Sequence, residues 1–236
     1  MPYKRPGFEI EAGHGGAIAM LMIPDEMADF ITSWGKKNID DEEVYGKDGK
    51  GRDGSPHVTL QNGIMCDDSS ELERLFSEFP AMPIELGPIS VFRNAEKDYD
   101  VVHIQVLSDA LHDANSMVSD LLEVNDVHPE YKPHITLAYV KKGAGDRFEG
   151  LEDFVGKDAA LDRMVVDGGN IKTKTIQLSE AADERAAVTA KKKSCSHSAD
   201  GKGPCGRCEL LKDSLDYGQK VSMMVRKMIK GRLRVE

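Results

Sequence analysis

Apolar and polar residues follow a pattern that occurs twice along the chain. The apolar run at 17–23 (AIAMLMI) predicts a buried strand, and the apolar spacing after it predicts a helix from Glu26 to Lys36. The polar, glycine-rich stretch at 37–54 predicts a flexible surface loop, and His57 to Ile64 predicts a second strand. The first part of the chain therefore has the order strand, helix, loop, strand.

The same order recurs in the second part. A strand is predicted from Val101 to Leu107, a helix from the N-cap Ser108 to about Leu122, and a strand from His134 to Val140. Each closing strand begins Pro-His-apolar-Thr-Leu. A duplicated unit of this kind predicts an α+β protein with two lobes that face each other across a groove. The pattern also predicts a helix at 69–79 and strands at 84–92, 161–166 and 172–178.

The composition changes after the second unit, which sets the predicted domain boundaries. Residues 1–180 form the main domain, and 181–204, rich in Ala, Lys, Ser and Gly, form a linker. Residues 205–236 are predicted to be helical with a basic end. This end could dock on a partner, or the helix could pack back on the acidic body.

Charge and hydropathy limit the function classes. The formal net charge of −10 argues against binding of nucleic acid by the whole surface, although a small phosphate ligand can still occupy a local pocket. No apolar run approaches the roughly 20 residues that cross a bilayer, and no signal-peptide core follows the start. We therefore expect a cytoplasmic protein without membrane contact.

The two Pro-His-apolar-Thr-Leu segments carry the candidate chemistry. On a strand, residues i and i+2 share a face, so His57 points with Thr59 and His134 points with Thr136. Two imidazoles can remove and supply the protons of phosphodiester cleavage, and the threonine hydroxyls can donate to the phosphate oxygens. We therefore predict a catalytic site of two histidines that needs no cofactor for catalysis.

The segments PHVTL and PHITL resemble the paired motifs of the 2H phosphoesterase superfamily, which includes the RNA ligase-like phosphoesterases. The resemblance covers about residues 14–180 and assigns the catalytic roles to His57, Thr59, His134 and Thr136. It implies a bilobal, duplicated α+β fold in which antiparallel sheets surround a central groove. It also implies a metal-independent phosphodiesterase.

A narrower resemblance concerns the second unit. The DVV strand, Leu111, His112 and Asn115 on the helix, and EYKPHITLAYVKKG are similar to the phage anti-CBASS nucleases. This likeness implies hydrolysis of 3′–5′ bonds in cyclic oligonucleotide messengers, counteracting bacterial CBASS defence. Two alternatives remain: a 2H enzyme that processes RNA ends or 2′,3′-cyclic phosphates, and a non-catalytic nucleotide-binding or phage assembly protein.

A cyclic oligonucleotide or short RNA substrate needs stacking surfaces and neutralising charge. Trp34 and Tyr131 are candidates for stacking, and Lys132 shares the parity of His134 and could contact phosphate. The core is the competing prediction for Trp34, and plain exposure is the competing prediction for Lys132. Strand parity places Tyr139 in the core, and His103 is predicted to be a core or sheet-edge residue.

The tail contains a candidate metal site. Cys195, His197, Cys205 and Cys208 supply three thiols and one imidazole, a suitable ligand set for a structural zinc knuckle at 195–208. Incidental thiols and a redox Cys-x-x-Cys pair are the alternatives.

Overall fold

The computed structural model describes residues 16–66, 68–77, 79–93, 95–126, 130–169 and 171–179. Nine strands form one sheet in the order β7-β3-β4-β6-β2-β1-β8-β9, with β5 paired to β2. The strands are β1 Ala17–Met22, β2 His57–Met65, β3 Met82–Arg93, β4 Tyr99–Leu107, β5 Glu123–Val124, β6 His134–Lys141, β7 Asp158–Leu161, β8 Arg163–Gly168 and β9 Ile171–Gln177. The helices are α1 Asp25–Asn38, α2 Ser70–Phe76 and α3 Asp109–Leu121, with a 3₁₀ turn at Asp146–Phe148.

The duplication is visible in the sheet. The units β1-α1-β2 and β4-α3-β6 have the same element order, and their closing strands β2 and β6 are antiparallel neighbours at Val58 and Ile135. In both units the opening strand pairs antiparallel with the closing strand. The predicted α+β fold with antiparallel sheet structure is confirmed.

Both closing strands contain a bulge at the same place in the motif. The pairing of β1 with β2 shifts register between Thr59 and Gln61, which leaves Leu60 as the extra residue. The pairing of β4 with β6 shifts between Thr136 and Ala138, which leaves Leu137 as the extra residue. Because a bulge puts two consecutive side chains on one side, it reverses the parity of the residues beyond it.

The helices form where caps and apolar spacing favour them. Pro24 precedes α1, whose buried residues Ile31 and Trp34 lie at helical spacing. The Ser108 hydroxyl accepts a hydrogen bond from Leu111 N at 3.3 Å, which confirms the predicted N-cap of α3. The sheet residues between the motif positions, among them Val58, Leu60, Ile135 and Leu137, are buried in the core.

Two predictions at the level of elements are wrong. The predicted strand at 161–166 is divided between β7 and β8, which pair with β3 and β1 near opposite ends of the strand order. Only Asp162 separates them, so the sheet curls until these ends are close. The predicted flexible loop at 37–54 is instead bound to β6, because Tyr45 N donates to Tyr139 O at 3.0 Å and Asp53 N donates to Leu137 O at 3.0 Å.

The second unit has a matching connection. After α3 the chain pairs with β2 through β5, and Asn125 N donates to Gly63 O at 2.8 Å. In each unit the segment after the helix thus binds the closing strand of the other unit.

No helix among the described residues is long and apolar enough to span a membrane. The predicted linker and basic helical tail lie outside the described residues.

Candidate active site

The four motif side chains are brought together at the centre of the sheet. Antiparallel pairing of Val58 with Ile135 places His57 across from Thr136 and Thr59 across from His134. The two histidines are then diagonal neighbours, and such positions lie on the order of 7–8 Å apart in an antiparallel pair. We call the side of the sheet that carries these four residues the motif face. One phosphate group can bridge two imidazoles at that separation.

Backbone carbonyls orient both imidazoles in the same way. His57 Nδ1 lies 2.8 Å from Ser55 O, and His134 Nδ1 lies 2.7 Å from Lys132 O. A carbonyl only accepts hydrogen bonds, so Nδ1 carries a proton in each ring. In the neutral ring the lone pair is therefore on Nε2, and in the charged ring Nε2 is a donor. Each ring can accept or donate a proton at Nε2.

The carboxylates near the two histidines differ. Asp53 Oδ2 lies 3.5 Å from His57 Nδ1, and both side chains are largely buried. Burial raises the pKa of Asp53, while the charge of His57 and the Ser55 N–H oppose that rise. Glu130 occupies the same position relative to His134, but it is exposed and pairs with Lys132 at 3.0 Å. A buried carboxyl group therefore lies beside His57, and the carboxylate before His134 is turned to solvent.

The surroundings of His134 are apolar and aromatic. Its ring lies edge-on to Phe92 at 4.9 Å and to His103 at 5.2 Å, and Phe92 stacks on His103 at 3.8 Å. His103 is only 3% exposed, as predicted for a core residue, but it pairs with Thr136 and lies on the motif face. Burial, and then the proximity of His134, lower the pKa of His103 to about 4. The ring is therefore neutral at neutral pH.

The three predicted substrate-binding residues have other contacts in the structure. Trp34 is 8% exposed, packs on Phe148 and Phe154, and donates from Nε1 to Asp153 at 3.0 Å. Its place in the core corrects the stacking prediction, because a base-stacking ring needs a face that the base can reach. Lys132 pairs with Glu130 through its side chain and orients His134 through its carbonyl.

Tyr131 connects the two motifs. Its hydroxyl donates to Thr59 O at 3.1 Å, and its ring lies edge-on to His112 at 5.3 Å. Burial raises the pKa of this hydroxyl, which therefore remains a donor. Tyr131 thus fixes the first motif strand from the loop that leads into the second, and stacking on substrate stays a prediction.

Metal ligands are a separate question. Among the residues that the structure describes, no group of three or more His, Cys, Asp or Glu side chains stands together as a candidate metal site. The predicted zinc ligands Cys195, His197, Cys205 and Cys208 lie outside that part of the chain, so the zinc knuckle stays a prediction.

The paired motifs agree with a comparison to known families. A model of the 2′-5′ RNA ligase superfamily matches residues 23–152, which is more than half of the chain. The chain belongs to this superfamily of 2H phosphoesterases. Its members are phosphodiesterases that generally act without a metal ion, and the prediction of a phosphodiesterase is confirmed at that level. No curated protein gives a significant match to the chain.

Several solved structures are similar to the chain. TT0787 of Thermus thermophilus is 16% identical, with a TM-score of 0.47 over 69% of this chain and 94% of that one. E. coli LigT complexed with 3′-AMP is 14% identical, with a TM-score of 0.42 over 70% and 95%. Kluyveromyces marxianus Usb1 with uridine monophosphate is 15% identical, with a TM-score of 0.41 over 69% and 97%.

Two residues of the site were not predicted in their observed roles. Asp53 beside His57 was assigned to a flexible loop, and His103 was not assigned to the site. A signal for Asp53 was present, because an acidic residue precedes each motif histidine by four positions, Asp53 and Glu130. His103 gave no comparable signal, since its contact with His134 depends on the pairing of β4 with β6.

Proposed function

We propose that the chain is a metal-independent phosphodiesterase that opens 3′–5′ bonds of cyclic oligonucleotides. The observation that carries the proposal is the diagonal placement of His57 and His134, each with Nδ1 bonded to a backbone carbonyl. Both Nε2 atoms can then exchange protons with opposite sides of one phosphate. The flanking Thr59 and Thr136 hydroxyls can donate to its non-bridging oxygens, where negative charge grows in the transition state.

The reaction that fits this site is an in-line transfer at phosphorus. A neutral histidine removes the proton of the neighbouring 2′-OH as the O2′–P bond forms. The P–O5′ bond breaks, and the protonated histidine gives its proton to O5′. The product is a linear oligonucleotide that ends in a 2′,3′-cyclic phosphate. Each proton transfer contributes about 10²–10⁴-fold to the rate.

The unequal surroundings of the histidines support a role for each. The buried Asp53 carboxyl group lies 3.5 Å from His57 Nδ1 and can hold this ring with Nε2 towards the leaving oxygen, so we assign His57 as the general acid. His134 lies edge-on to the rings of Phe92 and His103, and the corresponding carboxylate, Glu130, is turned to solvent, so we assign His134 as the general base. The two roles require opposite protonation states, and a bell-shaped pH dependence of kcat/KM is expected.

The substrate class rests on the resemblance of residues 100–143 to the anti-CBASS nucleases. In this proposal the chain removes cyclic messengers of a bacterial defence in the cytoplasm of the host. A second candidate, favoured by the superfamily match itself, is processing of RNA ends or of 2′,3′-cyclic phosphates. The two candidates share the same pair of histidines and differ in the group that is attached to the phosphate.

A substrate panel tests the proposed reaction. The full-length chain is incubated in EDTA with cyclic di- and trinucleotides and with 2′,3′-cyclic mononucleotides, and products are separated by chromatography. We expect a cyclic oligonucleotide to be linearised, and His57→Ala or His134→Ala to slow this about 10²–10⁴-fold. Turnover of 2′,3′-cyclic phosphates alone would select the second candidate. Turnover that survives both substitutions would refute the site.

The assignment of acid and base has its own test. Uridine 3′-(4-nitrophenyl phosphate) keeps the 2′-OH nucleophile but releases nitrophenolate, which needs no proton. On this ester His57→Ala should lose less than about tenfold, whereas His134→Ala should lose as much as on the cyclic substrate. Asp53→Asn, like His57→Ala, should lower turnover less on this ester than on the cyclic substrate. The opposite pattern would make His134 the acid.

A further inference from the structure

Three tyrosine rings form a cluster beside the second motif strand. Tyr45 and Tyr99 have ring centroids 5.1 Å apart, and Tyr99 and Tyr139 have centroids 5.4 Å apart. All three side chains are half-buried, so each presents part of its ring to solvent. Tyr45 reaches this position because its N–H donates to Tyr139 O at 3.0 Å, which aligns the two residues side by side.

The cluster lies on the motif face. The bulge at Leu137 reverses the strand parity, so Tyr139 points with Thr136 and not into the core as predicted. Tyr99 shares parity with His103, whose ring contacts His134. Tyr139 lies three positions after Thr136 along β6, a distance of roughly 10 Å or less at the rise of a strand. The rings are therefore about one nucleotide away from the proposed phosphate position.

Two lysines cover the cluster. Lys47 Nζ lies 5.7 Å from the centroid of Tyr45, and Lys50 Nζ lies 5.4 Å from the centroid of Tyr99. Both belong to a tight turn closed by a 2.9 Å bond from Lys50 N to Lys47 O. Its central residues Asp48 and Gly49 have φ values of 53° and 72°, and two consecutive positive φ values are typical of a type I′ turn. The turn thus holds two cations above aromatic rings in a chain of net charge −10.

We propose that this tyrosine–lysine cluster, Tyr45, Lys47, Lys50, Tyr99 and Tyr139, binds the second nucleotide of the substrate. The inference rests on the proposed function, which places the scissile phosphate between His57 and His134. The base of the adjacent nucleotide stacks on the tyrosine rings, since every base has a π-face that aromatic side chains can contact. The lysines pair with the phosphate that follows. The cluster therefore favours substrates with at least two nucleotides over a single 2′,3′-cyclic nucleotide.

The test is a double-mutant cycle between the base and the rings. Cyclic 3′–5′ diadenylate is compared with its analogue in which hydrogen replaces both adenines, so both carry the same phosphodiester bonds and no orientation of the analogue places a base on the rings. Removal of the bases should lower kcat/KM of the wild-type chain about 5- to 150-fold. Tyr45→Leu and Tyr99→Leu should cause a similar loss on the full substrate and little further loss on the analogue. Tyr45→Phe should retain the wild-type preference.

Independent losses, in which each tyrosine substitution lowers turnover of both substrates equally, would overturn the proposal. Lys47→Gln and Lys50→Gln should each reduce the slope of log Kd against log salt concentration by about one. Lys157→Gln is the matched control, because Lys157 also lies over an aromatic ring, 4.8 Å from Phe30, but outside the cluster. It should leave the slope unchanged.

Failure of the inference can be separated from failure of the proposed function. If the wild-type chain turns over neither diadenylate, the proposed function fails for this substrate. The dissociation constants of the same two ligands, measured by calorimetry on the full chain, then decide the inference alone. Weaker binding of the analogue that disappears in Tyr45→Leu and Tyr99→Leu supports the cluster as a base subsite, and equal binding of both ligands refutes it.

Discussion

The Ser55 and Lys132 carbonyls determine which ring nitrogen each motif histidine presents to a ligand, because each carbonyl binds Nδ1 and leaves Nε2 for the ligand. Each lies two residues before its histidine and holds Nδ1 at 2.8 Å or 2.7 Å. The same local geometry thus occurs twice, and the difference between the histidines comes from their neighbours. Asp53 lies beside one ring, and His103 with Phe92 lies beside the other. A symmetric backbone therefore carries two histidines with different neighbours.

His103 should make the protein sensitive to acid. Its pKa falls from 6.5 to about 4 on folding because the ring is buried, so between these values the unfolded chain binds more protons than the folded one. Stability is then lost as pH falls from about 6.5 to about 4, by up to about 3 kcal/mol. His103→Phe keeps an aromatic ring on Phe92 and removes this titration.

The measurement for His103 is urea unfolding from pH 8 to pH 4. The free energy of unfolding of His103→Phe should fall less steeply with acid than that of the wild-type chain. At pH 8 the His103 ring is neutral in both the folded and the unfolded chain. The difference in unfolding free energy between the two proteins at pH 8 therefore measures altered packing and is subtracted at each lower pH. Parallel curves for the two proteins would show that His103 is protonated equally in the folded and unfolded states.

At the scale of elements, the bulges and the crossing segments shape the site. Before each bulge, at Leu60 or Leu137, the motif histidine and threonine point to the motif face. Beyond the bulge the parity of the strand is reversed, so the side chains that follow point to the opposite faces from those that a regular strand would give them. The segment before His57 and the segment after α3 each bind the closing strand of the other unit. The strands that carry the motifs are thereby fixed on both edges, which restricts the movement of their histidines.

Gly63 is the position where the contact of β2 with the segment after α3 can be tested. Its φ is +69°, and a Cβ there would lie 2.3 Å from Asn125 O. Gly63→Ala should lower the free energy of unfolding by at least about 3 kcal/mol, because it adds a backbone clash to left-handed strain.

Gly143→Ala is the control for Gly63→Ala. Gly143 has a φ of +84° with nothing within 4 Å of the added Cβ, so strain alone should cost about 1–2 kcal/mol. Urea unfolding of both variants gives the comparison. Equal losses would mean that the segment at Asn125 moves away without cost.

At the scale of the whole described sheet, two similar units form one interlocked body. Their closing strands meet at Val58 and Ile135, and the site straddles that junction. Each unit supplies one histidine and one threonine, so neither half contains the complete set. The strands β7 and β8, separated by Asp162 alone, pair near opposite ends of the strand order and close the curl of the sheet.

Local pattern determined much of this arrangement. The repeated strand, helix, loop, strand order is a property of residue spacing, and it predicted the α+β fold, both motif strands and the cap at Ser108. The pairing of histidine with threonine on each strand follows from the two-residue period alone. The superfamily model matches residues 23–152, a range that contains both segments.

The surroundings of the motif residues depend on contacts between residues that are distant in sequence. Tyr139 lies on the motif face and not in the core because the bulge at Leu137 interrupts the two-residue period of the strand. That bulge is set by the pairing of β6 with β4. Asp53 and Tyr45 became part of the site region because their loop bonds to β6, whereas glycine content alone had indicated flexibility. The sequence by itself determined which histidine and threonine each motif strand carries. The tertiary structure decided which groups surround each histidine, because burial and cross-strand neighbours exist only after the two units pair.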